Sequence, residues 1–167
     1  MKQFLILLAF SISCSSYQEY YDKKPQTICA SDKNNNSVIC DIKIELKTND
    51  WRSYQNYIVI EQYNYKLNNI KKSVYQLILT ISVRDNYYYD SVDIIINNDK
   101  HYVLTPSKQN QDKTSGLLEI LYFNIDKDFI KIMANAYNIS ILTLHDSYNI
   151  KGEDISAIQE FYRSLND

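Results

Sequence analysis

A chain of 167 residues, 45% hydrophobic and 23% charged, can build one compact domain with its own core. Its 18 basic and 20 acidic residues, a formal charge of −2, remove the electrostatic footing for nucleic-acid binding. Only two glycines occur, Gly116 and Gly152, which excludes a phosphate-binding loop, a dinucleotide fingerprint and a nucleophile elbow, each of which needs several glycines close together.

The chain begins MKQFLILLAFSIS. Lys2 gives a minimal positive start, and residues 4–10 form an apolar run too short to cross the roughly 30 Å hydrocarbon core as a helix. That pattern is an export signal. The stretch behind it is polar, rich in Tyr and contains Pro25, so it reads as a tether and not as the continuation of a buried strand. Cys14 stands where the apolar run ends, between Ser13 and the pair Ser15 and Ser16. This string resembles bacterial lipoprotein signals. Its loose box, with Ser11 where the common pattern has Leu, resembles those of spirochaetes. The resemblance implies removal of residues 1–13, a lipid on Cys14, and a tether over 14–26 that holds a domain at 27–167 on an envelope membrane. Plain secretion, with cleavage near Ser13 or Ser16, is the alternative.

Exported chains pair their thiols, and three cysteines leave one over. With Cys14 lipidated, Cys29 and Cys40 remain as a disulfide pair. The ten residues between them include a turn-forming run at 31–37 with three consecutive Asn. Closing so short a loop stabilises by about 2–3 kcal/mol. Two cysteines without a nearby His or a second pair do not make a zinc tetrahedron, so no metal or other cofactor is expected.

Beyond the tether a period of two dominates. Val38, Cys40, Ile42, Ile44 and Leu46 alternate with Asp41, Lys43 and Glu45, giving a half-buried strand over 38–46. The same arithmetic gives strands at 57–65 and 75–83. Strands at 92–96 and 101–104 flank Asn97-Asn98-Asp99-Lys100, residues suited to positive φ, which predicts a hairpin that Pro106 terminates. A polar loop over 107–115 then leads to a strand at 117–125. The period changes at Asp126, which can cap a helix over 127–136. Residues 139–144 return to strand. Ile155, Ile158, Phe161, Tyr162 and Leu165 recur at helical spacing, with Asp154 as cap or Ser156 and Gln159 as a capping box. The expected fold is mainly β: a single antiparallel sandwich or half-barrel of six or seven strands, with a short helix before the last strand and a C-terminal helix. Residues 128–136, 139–141 and 155–165 resemble the end of small exported bacterial β-sandwich proteins. That likeness implies fold and compartment but no activity.

Candidates for chemistry are few. His145 beside Asp146 could enter a Ser/His/Asp site, but neighbours at a strand end point to opposite faces. His101 lies by the hairpin turn, where solvent reaches it. Asp85, Asp90 and Asp93 could pair for glycoside hydrolysis, yet nothing identifies a cleft, and their spacing is not that of a calcium loop. No catalytic residue is assigned. Tyr87, Tyr88 and Tyr89 cannot all turn to one face of an extended segment, so an accessible aromatic edge is expected there, suited to a protein or glycan partner. Trp51, Tyr54 and Tyr57 read as an anchoring aromatic group. Asn35 and Asn138 begin Asn-x-Ser sequons, which matter only in a eukaryotic source. The chain is rich in Ile, Asn, Lys and Tyr, whose codons are rich in A and T, so their abundance alone carries no functional weight. The expectation is a lipid-anchored envelope protein, non-enzymatic, structural or interaction-binding; a secreted ligand-binding module comes second and a hydrolase third.

Overall fold

The structure, a computed structural model, describes residues 25–32, 37–46, 56–67, 70–83, 89–112 and 118–165. The expected export signal, Cys14, the tether up to residue 24, Asn35, Trp51, Tyr54, Asp85, Tyr87, Tyr88 and Gly116 lie outside the described residues.

Ten strands and two helices are described. The strands are β1 (Thr27–Asp32), β2 (Ser37–Glu45), β3 (Tyr57–Leu67), β4 (Ile70–Ser82), β5 (Val92–Ile96), β6 (Lys100–Leu104), β7 (Lys108–Asp112), β8 (Leu118–Ile125), β9 (Asn138–Leu142) and β10 (Ser147–Lys151). Helix α1 (Lys127–Ala134) sits between β8 and β9, and α2 (Glu153–Ser164) closes the chain. The strands form two antiparallel sheets, one ordered β1-β2-β3-β4-β8-β7 and the other β10-β9-β5-β6. The architecture is the mainly β, sandwich-like one the alternation predicts, with more strands than expected.

One core joins both sheets and both helices. Alternation places Ile42, Ile44, Ile58, Ile60, Leu77, Leu79, Leu121 and Phe123 on the inner face of the six-stranded sheet. Ile94, Ile96, Ile139, Ile141, Tyr148 and Ile150 answer from the four-stranded sheet. Helix α1 adds Phe129, Ile130 and Met133, and α2 adds Ile155, Ile158 and Phe161. Helix α2 packs on α1, β1, β2 and β10, closing the core. Asn56 ties the sheets with its buried amide: Oδ1 accepts from the Ser82 backbone N–H at 2.6 Å, and Nδ2 donates to the Tyr148 hydroxyl at 3.3 Å. Burial, then the charge of Asp146 and the phenol of Tyr89, pushes the Tyr148 phenol upward, so this hydroxyl stays neutral.

Local rules explain most boundaries. Asn97 and Asn98 take φ of 57° and 63°, the left-handed turn between β5 and β6 that Asn tolerates. The Asp126 carboxylate accepts from the Phe129 backbone N–H at 2.7 Å and starts α1. Helix α2 departs from expectation. Its N-cap is Gly152 at φ 62°, with no side-chain cap, and the Ser156 hydroxyl instead donates to the Gly152 carbonyl at 3.3 Å. The left-handed turn out of β10 suits a residue without a Cβ, so glycine sets the start. Glu153 and Asp154 then complement the helix dipole.

Three strands were not expected: β1, β7 and β10. All three are edges of their sheets. The sequence 107–115, expected as loop, contains β7, whose polar residues have a specific task. Glu119, fully buried on β8, accepts from Gln109 Nε2 at 3.2 Å and from Gln111 Nε2 at 2.6 Å. The amides of the edge strand thus satisfy a carboxylate that burial would otherwise make costly.

Candidate functional site

The outer face of the six-stranded sheet carries the other set of alternate residues. Register places Asp41 on β2 directly opposite Glu61 on β3, Glu61 opposite Gln76 on β4, and Gln76 opposite Asn124 on β8. One polar row therefore crosses four strands. Gln76 Nε2 donates to Asn124 Oδ1 at 3.5 Å. The next row towards the β3–β4 turn is Ile39, Tyr63 and Val74. Glu61, Tyr63, Val74 and Gln76 line a depression of about 180 Å³. The rings of Tyr63 and Tyr65 lie 5.6 Å apart on the same strand face. On the other side of the polar row, Lys43 Nζ sits 3.9 Å from the centroid of the Tyr57 ring, and Lys108 Nζ 5.3 Å from that of Tyr122.

Two like charges directly opposed across strands destabilise a sheet. Burial raises the Asp41 carboxyl above the ordinary carboxylate value. Burial raises Glu61 as well, and the neighbouring Asp41 charge adds to it. Folded values above the ordinary 3.8 and 4.5 mean that the folded chain binds these protons more tightly than the unfolded chain. The destabilisation is therefore complete at pH above the raised values and is relieved as pH falls through them. Glu61→Gln is expected to raise unfolding free energy at pH 7 by about 0.5 kcal/mol, a figure limited by solvent screening at this half-buried position. The advantage over the parent should shrink as pH approaches 4.5, measured by urea unfolding at several pH values. A variant no more stable than the parent at pH 7 would show that the pair exerts no repulsion.

The residues singled out from sequence fare differently. Tyr89 is only 4% exposed and belongs to the core, so it forms no part of an exposed aromatic edge; the chain turns its ring inward just before β5. Cys29 and Cys40 oppose each other in the β1–β2 register with their sulfurs 2.13 Å apart, at disulfide distance. Tyr57 is half-buried under Lys43 and not an interior anchor. His101 is exposed on β6 opposite Ile95, and His145 is exposed in the turn between β9 and β10. Asp146 engages Thr143 there through its backbone, its N–H donating to Thr143 Oγ1 and its carbonyl accepting from that hydroxyl, both at 3.1 Å. Asp90 and Asp93 are exposed, and Asp93 stands opposite Val103 and Leu142. The Asn138 amide donates to Asn98 Oδ1 at 3.1 Å, a bond that glycosylation of that nitrogen would disrupt. Among the described residues no group of three or more His, Cys, Asp or Glu could hold a metal ion. None of the helices described is long and apolar enough to cross a membrane.

Sequence reading did not bring Asp41 and Glu61 together. Each sits at a polar position of an alternating strand, and only the β2–β3 register makes them neighbours. The molecule so defined is a two-sheet antiparallel β domain with a polar and aromatic outer face. No family model, curated protein or solved structure matches the chain.

Proposed function

We propose that the chain is a non-enzymatic binding module, tethered to a bacterial envelope membrane through lipid on Cys14, which offers the outer face of its six-stranded sheet to a hydroxyl-rich glycan. The observation that carries the binding reading is the row Asp41, Glu61, Gln76 and Asn124 running beside the Tyr63 ring and the depression it lines. Carboxylates and amides accept from and donate to sugar hydroxyls, while a tyrosine ring offers an apolar face and a polar tip. Two half-buried carboxylates kept side by side weaken the fold, and perturbed acids of this kind concentrate at functional sites. The anchor rests on the Ser13-Cys14-Ser15-Ser16 string behind the apolar run.

A hydrolase would need both acids around one cleft. Of the pair, Glu61 lines the depression, which favours binding.

Two measurements test the proposal. Intact-mass analysis of the mature protein should show residues 1–13 removed and acyl chains on Cys14; a bare thiol there overturns the anchor. NMR titration with neutral oligosaccharides should shift amides of β3 and β4 around Glu61 and Tyr63. Tyr63→Ala should weaken that binding about ten-fold while leaving the unfolding midpoint near that of the parent. No shift with any oligosaccharide in the parent protein would sink the glycan reading, and appearance of shortened products would restore the hydrolase.

A further inference from the structure

The β3–β4 hairpin outruns its sheet. Strand β2 pairs with β3 only as far as Asn64, and β8 pairs with β4 only from Tyr75 onward. Beyond those points the hairpin continues as a two-stranded ribbon through Tyr65 opposite Lys72, Lys66 opposite Lys71 and Leu67 opposite Ile70. A ribbon of two strands is marginal in water on its own. Register gives it two unlike faces. Tyr63, Val74, Tyr65, Lys72, Leu67 and Ile70 share one, while Lys66 and Lys71 stand on the other. Leu67 and Ile70, 48% and 62% exposed, oppose each other as an apolar pair at the tip, and Val74, 41% exposed, stands on the same face behind the row of Tyr65 and Lys72. In a chain of net charge −2, the segment 62–75 holds three lysines and no acid. Lys66 and Lys71 are directly opposed like charges, a pairing that counter-charge would relieve.

We infer that this overhanging hairpin end docks on an anionic phospholipid surface, with Leu67 and Ile70 entering the headgroup boundary and Lys66, Lys71 and Lys72 meeting lipid phosphates. The composition decides between partners. Lysine is depleted from protein interfaces, whereas aliphatic tips flanked by Tyr and Lys suit the water–lipid boundary. Lysine stems can lie along the apolar surface while their ammonium groups reach the phosphates. The inference goes beyond the glycan site and does not require the lipid on Cys14, although the two are compatible. Thr27 is level with Ile60 in the register, so the hairpin end lies about 23 Å further along the strands. A tether over 14–26 spans at most roughly 45 Å when fully extended, enough for anchor and hairpin to meet one bilayer.

Hydrogen exchange followed by mass spectrometry tests this on the full chain and on its Cys14→Ser variant, each mixed with excess vesicles of phosphatidylglycerol and phosphatidylcholine or of phosphatidylcholine alone. Because exchange is read by segment, protection at the N-terminus is separated from protection at the hairpin. Slowed exchange over 65–72 is expected on the anionic vesicles and not on the neutral ones, in both chains. Each lysine near an anionic surface strengthens binding about five-fold, so replacing Lys66, Lys71 and Lys72 together by Gln should weaken docking on the order of 100-fold. Replacing them by Glu, which adds repulsion at each position, should weaken it further still and return exchange to its lipid-free rate. Unchanged protection of β8 in each variant verifies the fold. Equal exchange with and without anionic vesicles overturns the inference, as does protection that survives charge reversal or that appears only when another protein is added.

Discussion

Phe161→Ala is expected to lower the unfolding free energy by about 4 kcal/mol, read as a fall in the urea midpoint at unchanged m-value. Phe161 is 0% exposed and lies on α2 with Ile155 and Ile158, and that helix packs against α1, β1, β2 and β10. Those neighbours belong to two sheets and a second helix, each held by its own hydrogen bonds. They cannot all move inward when the ring is removed, so the cavity persists and the cost sits in the upper part of the range for such truncations. A loss of this size is a large fraction of the 5–15 kcal/mol that holds a domain of this class together. Glu160→Ala, one residue earlier but exposed, should change stability by less than about 0.5 kcal/mol. A Phe161→Ala loss under about 1 kcal/mol would mean that α2 is an appendage and that the sheets close their core without it.

The parts of this fold that were legible in sequence are those whose local rules and tertiary environment agree. From Cys40 onward strand β2 alternates because its even positions meet the core and its odd positions face outward, so period and burial coincide there. At its start, by contrast, Ser37 is buried and Val38, expected on the inner face, is exposed. Asn97 and Asn98 announced their turn because few other residues tolerate positive φ, and Asp126 announced a helix because its carboxylate can reach the Phe129 N–H. The unseen strands lie at edges, where one side of the ladder is unpaired. Strand β7, reading KQNQD, has no apolar alternation at all, since Gln109 and Gln111 serve the buried Glu119. Between the expected strands 57–65 and 75–83, nothing in the polar sequence told a projecting ribbon from a loop; the β3–β4 register reveals it. The candidate site was illegible for a similar reason. Asp41 and Glu61 each occupied an ordinary outward position, and a one-residue change of register would have separated them. Tyr89 shows the opposite failure, because a run of three tyrosines signals that some ring is accessible without saying which one is buried.

Loss of the Cys29–Cys40 link, by reduction or by replacing both residues with Ser, is expected to cost about 3 kcal/mol from loop-closure entropy alone, given a sequence separation of 11. The place of that loss matters more than its size. Strand β1 buries little: Ile28 is 64% exposed, and Cys29, Ala30 and Ser31 are exposed as well. Its attachment therefore rests on one ladder to β2, on the sulfur link and on a slight contact with α2, with scant apolar burial behind them. Without the link, β1 should open locally before the domain unfolds, and hydrogen exchange under native conditions should show its amides losing protection while those of β4 and β8 keep theirs. Release of β1 leaves β2 as a bare sheet edge, with Ile42 and Ile44 on its inner face, the kind of edge that invites pairing between chains. Reduced protein should accordingly aggregate faster than oxidised protein at equal concentration, measured by light scattering below the unfolding midpoint. If β1 amides stay protected after reduction, the ladder alone holds the edge and the sulfur link acts only on the unfolded chain.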